Sequence, residues 1–318
     1  MLGTRRAVID IGTNSVKLLV AEVAGPLVNP LWEGSQQTRL GQGFYETRVL
    51  QAESIASTAQ AAAQFAETAR EWDVVSLRAI ATSAARDAVN PQDLLSAIEV
   101  ATGLKVEIIS GEQEADWVFR GVTTDPELAQ RPLLLLDVGG GSTEFILGHG
   151  DHQDFCHSFP LGTVRLLEKA PPGDPPTAAE LAGCRQWLKG FMRDQVRPKL
   201  EAELRREKRF DPVYHCVQLV GTGGTTTILA RLEAKLIEYD RARIEATRLS
   251  RDQLRAHLQH LWSLPLTERQ QIVGLPRNRA DVILPGVAIY EAVMEEFGFA
   301  ELRVSTRGLR YAAVMDGA

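Results

Sequence analysis

LLLLDVGGGSTEFILG, from Leu133 to Gly148, places an aspartate and three consecutive glycines between two apolar runs. Glycine adds no side chain to a core and costs conformational entropy when it is ordered. Three in a row therefore imply a turn that excludes a Cβ, or a ligand that comes close to the backbone. The flanking runs carry Leu, Val, Ile and Phe without helical spacing, so both read as strands. The loop then joins strand to strand as a hairpin. A dinucleotide fingerprint opens a helix, and a P-loop ends in Gly-Lys-Ser/Thr before one. Neither pattern occurs here.

An earlier copy exists. AVIDIGTNSVKLLVAEV, from Ala7 to Val23, repeats the order of apolar run, Asp, aliphatic, Gly, two small or polar residues, Ser and a second apolar run. A repeat at this spacing implies duplicated domains. Between the copies, Gln51–Trp72 and Pro91–Thr102 read as helices, and Val74–Ala81 and Lys105–Ile109 as strands. A further helix starts at Ser110, where Ser110-Gly-Glu-Gln113 forms a capping box, with an apolar face of Ala115, Val118, Phe119 and Val122. After the second copy come a proline-rich loop at Pro171–Pro176 and a helix capped at Thr177 with Glu180. A strand at Val217–Val220 follows, running into a Gly/Thr loop, GTGGTTT (Gly221–Thr227). Alternating strands and helices in both halves indicate an α/β architecture. The polar segment Thr124–Pro132 is the expected boundary, giving domains of 1–127 and 128–305, with a helix at about 306–318 packing back on the first.

Composition narrows the function. The chain has 318 residues, 44% hydrophobic and 24% charged, as in an ordinary globular protein with two cores. No apolar run reaches the roughly 20 residues of a membrane span, and the start has no signal-peptide layout. A cytoplasmic protein is expected. Cys156, Cys184 and Cys216 are far apart and odd in number, so they read as reduced cysteines, not as a disulfide framework or zinc site. A net charge of −6 argues against nucleic acid and membranes as partners. An anionic ligand must then be held by backbone amides, a metal ion and a few arginines.

The repeats supply those parts. Consecutive small residues after a strand aim their amides at one spot, a nest for an anion. The aspartates before each loop, Asp10 and Asp137, carry hard oxygens suited to magnesium. AVIDIGTNSVKLLV, ATSAARDAVN, IISGEQEADWVFRGV, LLLDVGGGSTEFILG, FPLGTVRL and VGTGGTTT together resemble the Ppx/GppA phosphatase family, in its short two-domain form. The family comprises exopolyphosphatases and guanosine pentaphosphate phosphohydrolases, within the actin-like ATPase superfamily. The resemblance implies two actin-like, ribonuclease H-like domains with an interdomain cleft. It implies phosphate loops at Gly12, Thr13, Asn14 and Ser15 and at Gly139, Gly140, Gly141, Ser142 and Thr143, with Gly223 in the third Gly/Thr loop. Asp10, Asp137 and Glu144 look like the acidic cluster for Mg2+ or another divalent cation. Arg86 is similar to the family's phosphate-contacting arginine. Glu114 matches its proposed general base, whose partial burial could raise its pKa.

Two other features carry less. His149, His152, Cys156 and His157 lie close in sequence but read as an exposed hairpin turn, and Arg197–Phe210 reads as a solvated helix face. The expected function is magnesium-dependent removal of terminal phosphate from inorganic polyphosphate, with pppGpp 5′-phosphohydrolysis as the alternative. A kinase of the superfamily and a non-catalytic alarmone sensor or filament former are the remaining readings. A homodimer is compatible with all of them.

Overall fold

A computed structural model describes residues 3–210 and 217–316, with side chains except at 207–210. Cys216 lies outside the described residues. The chain divides into two compact units, Met1–Thr124 with Arg307–Ala318, and Asp125–Thr306.

The first unit holds β1 (Thr4–Ile11), β2 (Ser15–Ala24), β3 (Leu27–Gln37), β4 (Ser76–Ala81) and β5 (Val106–Ile108), in the order β3-β2-β1-β4-β5. β1, β2 and β3 pair antiparallel, and β4 and β5 continue parallel to β1. The second unit repeats this plan with β6 (Leu133–Val138), β7 (Thr143–His149), β8 (His152–Phe159), β9 (Gln218–Thr222), β10 (Arg248–Ser250) and β11 (Glu301–Val304). There β6, β7 and β8 pair antiparallel, β9 and β11 run parallel to β6, and β10 adds one antiparallel edge strand. Each unit is an actin-like, ribonuclease H-like α/β domain, and the duplication read from two short motifs extends to the whole sheet.

The sequence dictates the layers directly. A central strand covered on both faces must be apolar throughout, and Leu133, Leu134, Leu135 and Leu136 are all buried. The helix Ala52–Glu71 faces the first sheet with Ala59, Ala61, Ala62, Ala66 and Ala69, all buried, so its backbone can approach closely. The helix Ile283–Phe297 is apolar nearly all round and lies within the second core. A helix with that composition is stable only when surrounded. The helix Gly111–Val122 is N-capped by Ser110, with Gln113 N–H donating to Ser110 Oγ at 3.1 Å, one half of the expected capping box.

The chain returns to the first unit through the helix Leu309–Met315. Arg6 donates to the Met315 carbonyl at 2.8 Å, and Arg310 to that of Leu18 at 2.9 Å. Asp316 closes the contact by accepting from Trp117 Nε1 at 2.8 Å and pairing with Arg120. Burial would raise the Asp316 carboxyl, but the Arg120 guanidinium and the Trp117 N–H outweigh it and hold it below the ordinary aspartate value. A carboxylate depressed by folding contributes stability above its unfolded pKa and loses it as pH falls through the folded one. The helix is therefore expected to loosen below about pH 4, measured as faster amide exchange at Leu309–Met315, and Asp316→Asn should remove that acid dependence.

Candidate active site

The two Asp-containing hairpins close in the same way. Gly12 N–H donates to Ser15 O at 3.0 Å, and Gly139 N–H donates to Ser142 O at 3.0 Å. These two amides belong to the turns themselves, so neither Gly12 nor Gly139 offers its N–H to an anion. In both copies a distant segment then ties back the turn carbonyls. Thr13 O accepts from Gly41 N–H at 2.7 Å, and Asn14 O accepts from Thr38 and Arg39. Gly139 O accepts from Thr163 N–H and Gly140 O from Val164 N–H, each at 2.9 Å, while Gly141 O accepts from Arg165 Nε at 2.8 Å. In a trans peptide the carbonyl and the next N–H point in opposite directions. Holding these carbonyls therefore turns the N–H groups of Asn14, Gly140, Gly141 and Ser142 the other way. Of these two tying segments, Thr163–Arg165 lies in FPLGTVRL, quoted above for the resemblance but with no role attached, and Thr38–Gly41 carries no signal in the sequence. Close approach is the reason for small residues here, since a Cβ on Gly162 would stand 2.3 Å from Gly140 O. None of Gly139, Gly140 and Gly141 lies at positive φ.

The copies differ at one decisive pair. Asp10 on β1 is the register partner of Lys17 on β2, and their charges are 3.8 Å apart. Asp137 on β6 is in the same register with Glu144 on β7. Directly opposed residues share a face of the sheet. So the first hairpin neutralises its aspartate internally, whereas the second sets two carboxylates side by side. Glu144 is 1% exposed and accepts from Ser158 Oγ at 2.8 Å. Two adjacent carboxylates in a desolvated place favour an added cation.

Arg86 and Glu114 come together within the first unit. Arg86 stands on the short helix Ser83–Asp87 and Glu114 in the first turn of the helix Gly111–Val122. Arg86 Nη1 donates to Glu114 Oε2 at 3.0 Å and to Ile109 O at 3.1 Å. Glu114 is buried.

GTGGTTT is no loop. β9 runs through Thr222, and the helix Gly223–Glu233 starts at once. Gly223 has φ +83, and a Cβ there would stand 2.2 Å from Asp137 Oδ1, so it leaves room for that carboxylate. His149 and His152 flank the β7–β8 turn and face Asp154, while His157 Nε2 lies 2.8 Å from Lys199 Nζ. The helix Arg197–Phe210 buries Leu200 and Leu204 in the core, so one of its faces is not solvated.

Among the described residues, no group of three His, Cys, Asp or Glu side chains could hold a metal ion. Magnesium does not demand one, because it is commonly bound through one or two carboxylates with waters and substrate phosphates. Asp137 and Glu144 fit that requirement. Among the described residues, no helix is long and apolar enough to cross a membrane.

A model of the Ppx/GppA phosphatase family matches residues 19–317. Exopolyphosphatase 2 of Mycobacterium tuberculosis is 35% identical over 318 residues, covering 95% of each chain. Exopolyphosphatase 1 of the same organism is 28% identical, covering 98% of this chain and 87% of its own. Among solved structures, the Ppx/GppA enzyme of Aquifex aeolicus superposes with a TM-score of 0.76 at 31% identity, covering 98% of this chain and 99% of its own. An exopolyphosphatase from Cytophaga hutchinsonii superposes at 0.84 with 25% identity over 98% of both chains.

Proposed function

The chain belongs to the Ppx/GppA phosphatase family, and from that membership we propose that it is a magnesium-dependent exopolyphosphatase releasing terminal phosphate from inorganic polyphosphate. The observation that carries the proposal is the exchange of Lys17 for Glu144 at matching register positions of the two hairpins. It leaves one glycine turn with a paired carboxylate site beside amides that suit phosphate oxygens. The relatives named exopolyphosphatases support polyphosphate as the substrate.

Hydrolysis of a phosphoanhydride requires an in-line water and neutralised phosphate oxygens. Glu114 accepts the proton of the attacking water. Arg86 holds Glu114 in place through the bond at 3.0 Å, and its guanidinium is the cation offered to a phosphate. The turns Gly12–Ser15 and Gly139–Thr143 bind oxygens through the backbone N–H groups of Asn14, Gly140, Gly141 and Ser142, those of Gly12 and Gly139 being used within the turns. Asp137 and Glu144 would hold a magnesium ion, which when bound supplies positive charge to the phosphate oxygens. Asp10 is paired with Lys17 on its own hairpin, 3.8 Å apart.

The test is phosphate release from tripolyphosphate, long-chain polyphosphate, pppGpp and ATP, each with and without magnesium and with no acceptor. Magnesium-dependent release from the polyphosphates is expected. Faster release from pppGpp than from either polyphosphate would move the assignment to a guanosine pentaphosphate phosphohydrolase. No release from any of the four would end the hydrolase reading.

A further inference from the structure

Three threonines follow Gly223, and nothing in the proposed chemistry uses them. The first turn of the helix Gly223–Glu233 lies directly against the strand that carries Asp137. Thr225 Oγ1 donates to Val138 O at 3.2 Å, the carbonyl just after Asp137. Thr226 Oγ1 donates to Thr222 O at 2.9 Å, and Thr222 is the register partner of Asp137 on β9. Tyr290 OH stands 2.5 Å from Thr226 Oγ1 and 3.4 Å from Leu136 O, the carbonyl just before Asp137. Two hydroxyl protons serve these last three contacts. The short chain from Tyr290 to Thr226 to Thr222 O uses both, and Leu136 O receives the long contact. Burial pushes the Tyr290 phenol far above its ordinary value, so it keeps its proton.

The helix Ile283–Phe297 supports this arrangement from behind. Gly286 and Tyr290 are four residues apart and share one face. A Cβ on Gly286 would meet Thr225 Cγ2 at 2.5 Å and Thr163 Cγ2 at 3.1 Å. Thr163 is the residue whose N–H holds Gly139 O. One helix face thus backs the hydroxyls around Leu136–Val138 and the segment that ties the glycine turn.

We propose that Tyr290, Thr225 and Thr226 are positioning residues for Asp137: their hydroxyls fix the carbonyl of the residue after it and the facing strand, and so set where its carboxylate stands. This rests on the reading of Asp137 as a ligand of the divalent ion. Groups that orient a metal ligand typically change metal affinity by about 10–100-fold when removed. Asp137 lies flush against Gly223, so a carboxylate that drifts meets backbone on that side.

The test measures tripolyphosphate binding by calorimetry across a magnesium titration, in a Glu114→Ala background that suppresses hydrolysis. Adding Tyr290→Phe or Thr226→Val is expected to raise the magnesium needed for half-maximal binding about 10-fold. Thr226→Ser should restore the parental value, because it keeps the hydroxyl and removes only a methyl. If folded Tyr290→Phe and Thr226→Val proteins both keep the parental magnesium requirement, the positioning role is wrong. Asp137→Ala in the same background separates the two levels. Should it leave the requirement unchanged, the reading of Asp137 fails and this inference falls with it. Should it raise the requirement while the hydroxyl variants do not, only the positioning role fails.

Discussion

Glu114→Ala is expected to slow phosphate release by about 1,000-fold, within the 100- to 10,000-fold range for a lost general base, while KM for polyphosphate changes little. The carboxylate is buried and accepts from Arg86 Nη1 at 3.0 Å. Removing it leaves that guanidinium facing a small void, so lost packing must be separated from lost proton transfer. Glu114→Gln does this. The amide oxygen can still accept from Arg86, and the side chain keeps its volume, but it cannot take a proton from water at neutral pH. Both variants should be slow, and Glu114→Gln should melt near the parental temperature. If Glu114→Gln retains more than a tenth of the activity, another group takes the proton.

Glu144→Lys should be as severe, for a different reason. It rebuilds in the second hairpin the pair that the first already contains, with the new ammonium in register with Asp137 as Lys17 is with Asp10. The protein would then carry its own cation where the proposal places magnesium. Loss of the ion's charge stabilisation is worth several kcal/mol, so activity should fall about 1,000-fold, or ~4 kcal/mol. Added magnesium should not recover it. The side chain at this position is almost fully buried and next to Ser158, so Glu144→Gln is the control for folding. It keeps the shape and a partner for the Ser158 hydroxyl, and it should weaken magnesium activation without abolishing it. A folded Glu144→Lys protein with normal magnesium-dependent release would refute the paired-carboxylate site.

The contrast between Lys17 and Glu144 also marks where sequence reading stopped. Both lie seven residues after their aspartate, so the difference was present in the letters. It gained a meaning only with the register, which sets each residue directly across from its aspartate. Resemblance alone puts Glu144 in the acidic cluster, and nothing in the letters pairs Lys17 with Asp10.

The sequence by itself determined the duplicated strand–turn–strand plan, the α/β alternation and the caps at Ser110 and Thr177. These depend on residues within a few positions of one another: small residues at turns, apolar runs for buried strands, hydroxyls before helices. It also misplaced GTGGTTT, because Gly and Thr mark loops and strand-to-helix junctions equally well. Only the tertiary structure decided that Thr163–Arg165 hold the glycine-turn carbonyls, that Arg86 meets Glu114, and that Tyr290 stands behind Leu136, 154 residues away. Such contacts follow from how whole helices pack on sheets, and close packing joins segments whose local sequences carry no mark of each other.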